Sequence, residues 1–267
     1  MSVIIPLILF LLAIAGAPLF TVIAASALWG FWQSDVDLQV MAVEIYRIAE
    51  MPVLIAIPLF TFAGYMLGES QAPKRLVRIT DAFLGWMPGG LAIVALVACA
   101  MFTAFTGASG VTIVALGALL VPALNKAGYK EQFNLGLVTT SGSLGLLFAP
   151  SLPLILYGVI AQQMALDTPV SIDDLFLAGL LPGLLMLVAL SLYSAWQGRH
   201  IKKEAEPFDS AEAWAAIKDS AWEIPLPFVV LGGIYGGFFA VSEAAAITAL
   251  YVLIVTVVIR REISFSN

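Results

Sequence analysis

Two stretches without a single charged residue, 82–125 and 132–166, are too long to cross a bilayer as straight helices. At about 1.5 Å rise per residue they would reach roughly 66 Å and 52 Å, against a hydrocarbon core of ~30 Å. Five further charge-free runs, 1–34, 51–68, 175–198, 224–242 and 244–259, each match or approach the length of one span of ~20 residues. Of 267 residues 61% are hydrophobic and 11% charged, where soluble domains carry about 25% charged residues. The pattern predicts an all-α polytopic membrane protein, its charges gathered between spans.

Positive charge stays on the cytoplasmic side, which places Lys74/Arg75/Arg78, Lys126/Lys130, Arg199/Lys202/Lys203 and Arg260/Arg261 inside. The amino terminus is then cytoplasmic and a first span over about 3–28 runs outward; it lacks the basic start of a secretory signal. Segment 33–50, with Asp35, Asp37, Glu44, Glu50 and Arg47, lies outside, as does acidic Asp167, Asp173 and Asp174. Runs 224–242 and 244–259 are read as an outward hairpin of two short spans. Trp29, Trp32, Trp86, Trp196 and Trp222 fall near run ends, where an amphipathic ring sits at headgroup level. The charged loop 197–223 contains a short helix capped by Ser210, with Trp214, Ile217 and Ala221 on one face, lying on the membrane surface.

The first long run must fold back. Its middle, Phe105-Thr106-Gly107-Ala108-Ser109-Gly110-Val111-Thr112, supplies glycines for a turn and hydroxyls for ligands, which predicts a re-entrant hairpin over 89–126. The second must break. Gly142-Ser143-Leu144-Gly145 leads into Ala149-Pro150-Ser151-Leu152-Pro153, and each proline removes an amide donor and pushes its predecessor out of helical geometry. A broken helix over 131–165, interrupted near 146–153, follows.

Backbone polar groups freed inside hydrocarbon are costly unless buried or lining a cavity. Two interrupted segments therefore point to a midplane site, where carbonyls at one half-helix end coordinate a cation and amides at the next face an anion. Candidate residues for substrate or ion are Thr106, Gly107, Ser109, Gly110 and Thr112 of the hairpin, with Gly142, Ser143, Gly145, Pro150 and Ser151 of the broken helix. Thr106, Ser109 and Ser143 are the candidate sodium ligands. Close helix packing through small residues is the competing account of the same glycines and serines. Proton relays use buried Asp, Glu or His, but Asp81 and Glu243 lie at segment ends, so neutral oxygens suit sodium. Glu243 reads as an N-terminal helix charge, and Arg47 as a snorkelling interfacial arginine.

Other classes fit less well. No basic stripe with interleaved aromatics exists to follow nucleic acid, lone Cys99 supports neither disulfide nor thiolate site, and no Gly-x-x-x-x-Gly-Lys-Ser/Thr motif binds ATP. No polar or charged ring suggests a channel pore. Gly107-Ala108-Ser109-Gly110 matches the Gly-x-Ser-Gly of rhomboid-type intramembrane serine proteases, with Ser109 as nucleophile. That chemistry needs a base within hydrogen-bond reach, and the single histidine, His200, sits in a cytoplasmic loop beside Arg199.

Several motifs in order resemble the large membrane subunit of TRAP (tripartite ATP-independent periplasmic) transporters, the DctM-like family. They are Ile57-Pro58-Leu59-Phe60 through Gly64, Pro88-Gly89-Gly90-Leu91-Ala92, Thr106 to Gly110, and Pro150 to Leu154 with Tyr157-Gly158. Leu175-Phe176 with Ala178-Gly179 and Pro182-Gly183, and Gly232 to Gly237 followed by Glu243-Ala244-Ala245-Ala246, continue the series. The resemblance implies a sodium-driven importer of organic anions in the bacterial inner membrane, with no other cofactor. Its partners would be a small four-helix membrane subunit and a periplasmic substrate-binding protein, and its transport domain would slide as an elevator against a scaffold. Residues 1–70 would be scaffold-type, 71–166 the transport-type unit, and 167–267 further spans and the cytoplasmic loop. Such families build the site from two inverted repeats, and one hairpin with one broken helix is visible here. The expectation is that the chain is a partial subunit, or that its second half is encoded separately, and cannot drive uptake alone. Where family members often carry Ser-Gly-Ser and Thr-Pro-Thr-Glu, this chain has Thr106-Gly107-Ala108-Ser109 and Ala240-Val241-Ser242-Glu243.

Overall fold

A computed structural model describes residues 4–37, 39–87, 89–164, 170–199 and 208–263, leaving aside the Phe105 side chain. Pro88, Asp167, His200, Lys202, Lys203 and Asn267, which entered the reading above, lie outside the described residues. The chain divides into two units, 1–51 and 52–267.

In the first unit the apolar start is two helices, not one span: α1 (Ile4–Ile14) and α2 (Leu19–Gln33). Gly16 adopts φ +91 and Pro18 stands at the head of α2, so a left-handed residue and a missing amide donor end the first helix. Segment 33–50, expected outside, forms α3 (Gln39–Ala49), on which Arg47 pairs with Glu44 at 2.6 Å one turn earlier.

The second unit begins with a 3-10 turn, Pro52–Ile55, running into α4 (Ala56–Glu69), then α5 (Ala72–Leu84), α6 (Gly90–Thr106) and α7 (Ser109–Lys126). After them come α8 (Glu131–Leu144), a 3-10 turn Gly145–Leu147, α9 (Leu152–Gln163), α10 (Ile172–Gly198), α11 (Ser210–Asp219), α12 (Pro225–Tyr235) and α13 (Val241–Leu253). A π-helical turn, Ile254–Ile259, extends α13. Among the described residues four helices are long and apolar enough to cross a membrane, or five if the bent pair α8–α9 counts as one span. The chain is an all-α polytopic membrane protein. One expectation fails on length: α12 has 11 residues, roughly 16 Å, so 224–242 does not supply a full span.

Helix α6 lies at the centre. Its sequence is apolar on every face, the mark of a helix enclosed by others, and Ala92, Val94, Ala95, Leu96, Ala98, Cys99 and Phe102 are fully buried. Helices α4, α5, α7, α8 and α10 surround it. On its far side α4 packs against the small-residue face of α13 formed by Ala244, Ala245, Thr248 and Ala249. Glu243 begins α13 as expected, its carboxylate accepting the Ala240 N–H at 2.9 Å.

The charged segments do not simply float in solvent. Arg75 on α5 is 7% exposed, and its guanidinium donates to Glu223 Oε1 at 2.9 Å and 2.5 Å and to Glu262 Oε1 at 2.5 Å. Glu262 Oε2 also accepts the Gln71 N–H at 2.8 Å. Beside this triad Arg78 pairs with Glu212 at 2.8 Å and Asp219 at 3.0 Å, and Arg260 donates to the Asp219 carbonyl. These bonds draw α11 onto α5 through Ala213 and Ala216, with Trp214 left exposed. The α11 cap is Asp209, not Ser210: its carboxylate accepts the Ala211 N–H at 2.8 Å. Asp209→Ala should cost about 1 kcal/mol, read as a lower unfolding midpoint in detergent.

Candidate functional site

The first long run turns at Gly107-Ala108. A continuous helix would separate residues 103 and 112 by roughly 13 Å, yet Thr103 Oγ1 donates to Thr112 Oγ1 at 2.6 Å with both side chains fully buried. The turn is possible because Gly107 takes φ +63, a left-handed C-cap that glycine adopts without strain. Its amide donates to Thr103 O at 2.7 Å, and Ala108 is extended before α7 begins at Ser109. Thr106 is fully buried, its hydroxyl 3.4 Å from both the N and the O of Ala108.

The second long run breaks where predicted. Helix α8 tightens into the 3-10 turn, Phe148 is extended, and α9 resumes at 41° to α8. Ser151 caps α9, its Oγ accepting the Leu154 N–H at 3.4 Å.

The two interruptions meet. A Cβ on Gly142 would lie 2.8 Å from Ile113 Cγ1 and 3.5 Å from Ser109 O, and one on Gly145 would lie 2.5 Å from Ala100 O. A Cβ on Gly107 would come within 2.8 Å of Leu152 Cγ, next to buried Pro150 and Ser151. Thr106, Gly107, Ser109, Thr112, Gly142 and Gly145 thus gather around one buried corner, with Leu152 packed on Gly107 and Pro150 and Ser151 just before it in the chain. Two candidates stand apart. Gly110 is exposed with open space around it, and exposed Ser143 turns its hydroxyl back to Thr139 O at 3.2 Å. Beside the corner Tyr65, Gly68, Glu69, Gly110, Val111 and Val114 line a groove of about 330 Å3.

Sequence reasoning missed two contributors. Thr103 pairs with Thr112 across the turn. Gly64 on α4 is the seat of the corner, since a Cβ there would stand 2.7 Å from both Thr106 Cα and Thr106 O; Gly68, one turn on, faces Val111. Gly64-Tyr65-Met66-Leu67-Gly68 is the Gly-x-x-x-Gly spacing of close membrane-helix contacts, and that signal was present. Thr103→Val removes the buried hydroxyl pair at nearly constant volume and should cost about 1 kcal/mol, measured as a shift in denaturation midpoint.

The corner offers hydroxyls, carbonyls and helix ends. Among the described residues no group of three or more His, Cys, Asp or Glu side chains could hold a metal ion.

A family model for the DctM component of the tripartite ATP-independent periplasmic transporter matches residues 6–267. The chain belongs to the DctM family. Its relatives include the C4-dicarboxylate TRAP transporter large permease protein DctM of Rhodobacter capsulatus, 32% identical over 97% of this chain and 61% of that protein. The ectoine/5-hydroxyectoine large permease UehC of Ruegeria pomeroyi is 34% identical over 97% of this chain and 60% of its own length. The isethionate permease DctMQ of Oleidesulfovibrio alaskensis is 36% identical over 93% and 37%. The chain spans about 60% of the length of the first two. DctM proteins are large permeases of secondary transporters and not enzymes, which removes the Ser109 protease reading.

Proposed function

We propose that this chain contributes to a sodium-coupled, binding-protein-dependent secondary transporter that imports small organic anions across the bacterial inner membrane, its amino terminus in the cytoplasm. The observation that carries the reading is the buried meeting of two interrupted helices at Thr106-Gly107 and Gly142-Gly145. Irregular backbone at membrane depth is tolerated where it lines a site, and the corner's neutral oxygens suit a cation that does not titrate. Thr106 and Ser109, with the carbonyls freed at the end of α6, are the proposed sodium ligands. Ser143 would join them only if α8 turned its exposed face toward the corner.

The α9 N-terminus, capped by Ser151, presents amides suited to an anionic group. Carboxylate cargo is the reading favoured by the C4-dicarboxylate relative, while the ectoine relative widens the range. A small four-helix membrane subunit and a periplasmic binding protein are the proposed partners. An elevator-type displacement is the proposed motion, since the corner is built into the centre of a packed unit.

The test is alkylation by a maleimide, in lipid vesicles, of Gly110→Cys, an exposed position with open space next to Ser109. Sodium should slow labelling relative to potassium or choline, and Thr106→Val should remove that protection. Equal rates in all three salts would sink sodium binding at the corner. In a transport assay with both partners, Ser109→Ala should raise the sodium concentration needed for half-maximal uptake.

A further inference from the structure

A second concave feature lies at the opposite end of the spans, away from the corner. Tyr129, Lys130, Gln132, Phe133, Tyr193 and Gln197 line a groove of about 610 Å3 between the start of α8 and the end of α10. Its floor is aromatic: Tyr129 stacks on Phe133 at 5.6 Å, Phe133 tilts against Tyr193 at 5.9 Å, and Tyr193 against Trp196 at 5.9 Å. Its rim is polar, with Gln197 Nε2 donating to Tyr193 OH at 2.9 Å.

Charge and neighbourhood together define the occupant. Lys130 lines the groove, Lys126 stands in the last turn of α7, and Arg199 follows α10 at the end where a Cβ on Gly198 would lie 2.7 Å from the Tyr129 hydroxyl. Arg199 lies over the Trp196 ring at 5.5 Å. Below the groove α10 presents exposed Leu181, Leu185, Val188 and Leu192, a surface fit for acyl chains. Basic pockets between membrane helices, bordered by interfacial aromatics, take anionic lipid headgroups. A water-soluble anion would gain nothing from the apolar wall, whereas a phospholipid covers the wall and the basic rim at once.

We propose that the groove between α8 and α10 binds the headgroup of an anionic phospholipid, its phosphate held by Lys130 and Gln197 and its chains laid along α10. The inference needs only that α8 and α10 lie in a bilayer and is independent of sodium coupling.

Native mass spectrometry of the delipidated chain, offered phosphatidylglycerol and phosphatidylcholine of matched acyl length, reads the site directly. The native chain should retain phosphatidylglycerol preferentially. Lys130→Glu reverses a charge at an exposed position and should weaken that retention about tenfold or more, leaving phosphatidylcholine unchanged. Gln197→Glu should act in the same direction and serves if the first variant folds poorly, as judged by helix content and elution volume. Equal retention of the two lipids by the native chain, or an undiminished preference in both variants, overturns the proposal. So does protection of Lys130 from acylation by a protein partner in lipid-free micelles and not by phosphatidylglycerol.

Discussion

Replacing Arg75 with alanine should lower the stability of the chain by about 3–5 kcal/mol, the range for removing one partner of a buried ion pair. The cation is 7% exposed and serves two carboxylates, Glu223 at 5% and Glu262 at 14%. Without it both must stay charged in a poorly hydrated site or take up protons. Glu223→Gln should cost far less, because an amide oxygen still accepts from the guanidinium. Arg75→Lys should recover only part, because one ammonium cannot reproduce the fork that reaches both partners. Denaturant unfolding in detergent checks the series, and a loss below about 1 kcal/mol, the value of an exposed pair, would show that the triad is hydrated.

The triad also sets a pH dependence. Burial alone would raise the Glu262 carboxyl, but hydrogen bonds from Arg75 and the Gln71 amide outweigh it and hold the group below its ordinary 4.5. A carboxyl depressed in the folded state adds stability that is complete above its unfolded value and is lost as pH falls through the folded one. The Glu262 contribution should therefore be flat above about pH 5 and decline only in acid below the usual carboxylate range. Glu262→Gln should flatten that decline.

Gly64→Ala should displace the corner. Its added carbon would stand 2.7 Å from two backbone atoms of Thr106, which no rotamer change can relieve. Overpacking of this kind costs about 1–3 kcal/mol, and because the strain falls on Thr106, sodium protection of Gly110→Cys should be lost with it. Gly136→Ala is the control: no atom lies within 4 Å of its new carbon, and the exchange in mid-helix should be neutral or stabilising by up to about 1 kcal/mol. If both substitutions behave alike, α4 does not seat the turn.

The turn at Gly107 and the break after Leu144 were legible because each apolar run exceeds the bilayer and carries its own punctuation, a glycine pair in one and prolines in the other. Length and local backbone chemistry decide such features, and both are written in consecutive residues. The division of the first run at Gly16 and Pro18 carries the same kind of signal, but that run is near the length of one span, so length does not demand the division. Which candidates converge was less legible. Gly142 and Ser143 are neighbours, yet one faces the corner and the other is exposed, a matter of helical phase set by packing. The Arg75 triad was invisible because its members lie 148 and 187 residues apart, and each taken alone looks like an ordinary loop charge. Asp209 preceded Ser210 in the same loop, and either could have capped α11.

Helix α6 is held by five others and leaves Met101 exposed, and this limits how the hairpin can move. A rod enclosed by α4, α5, α7, α8 and α10 cannot withdraw singly, since each step would open voids along a close-packed interior. The Gly107 corner therefore cannot act as a flap hinged on its own two arms. Under the proposed transport role, any step that opened the corner to one face of the membrane and then to the other would have to carry the surrounding helices along or remove a cover supplied from outside them.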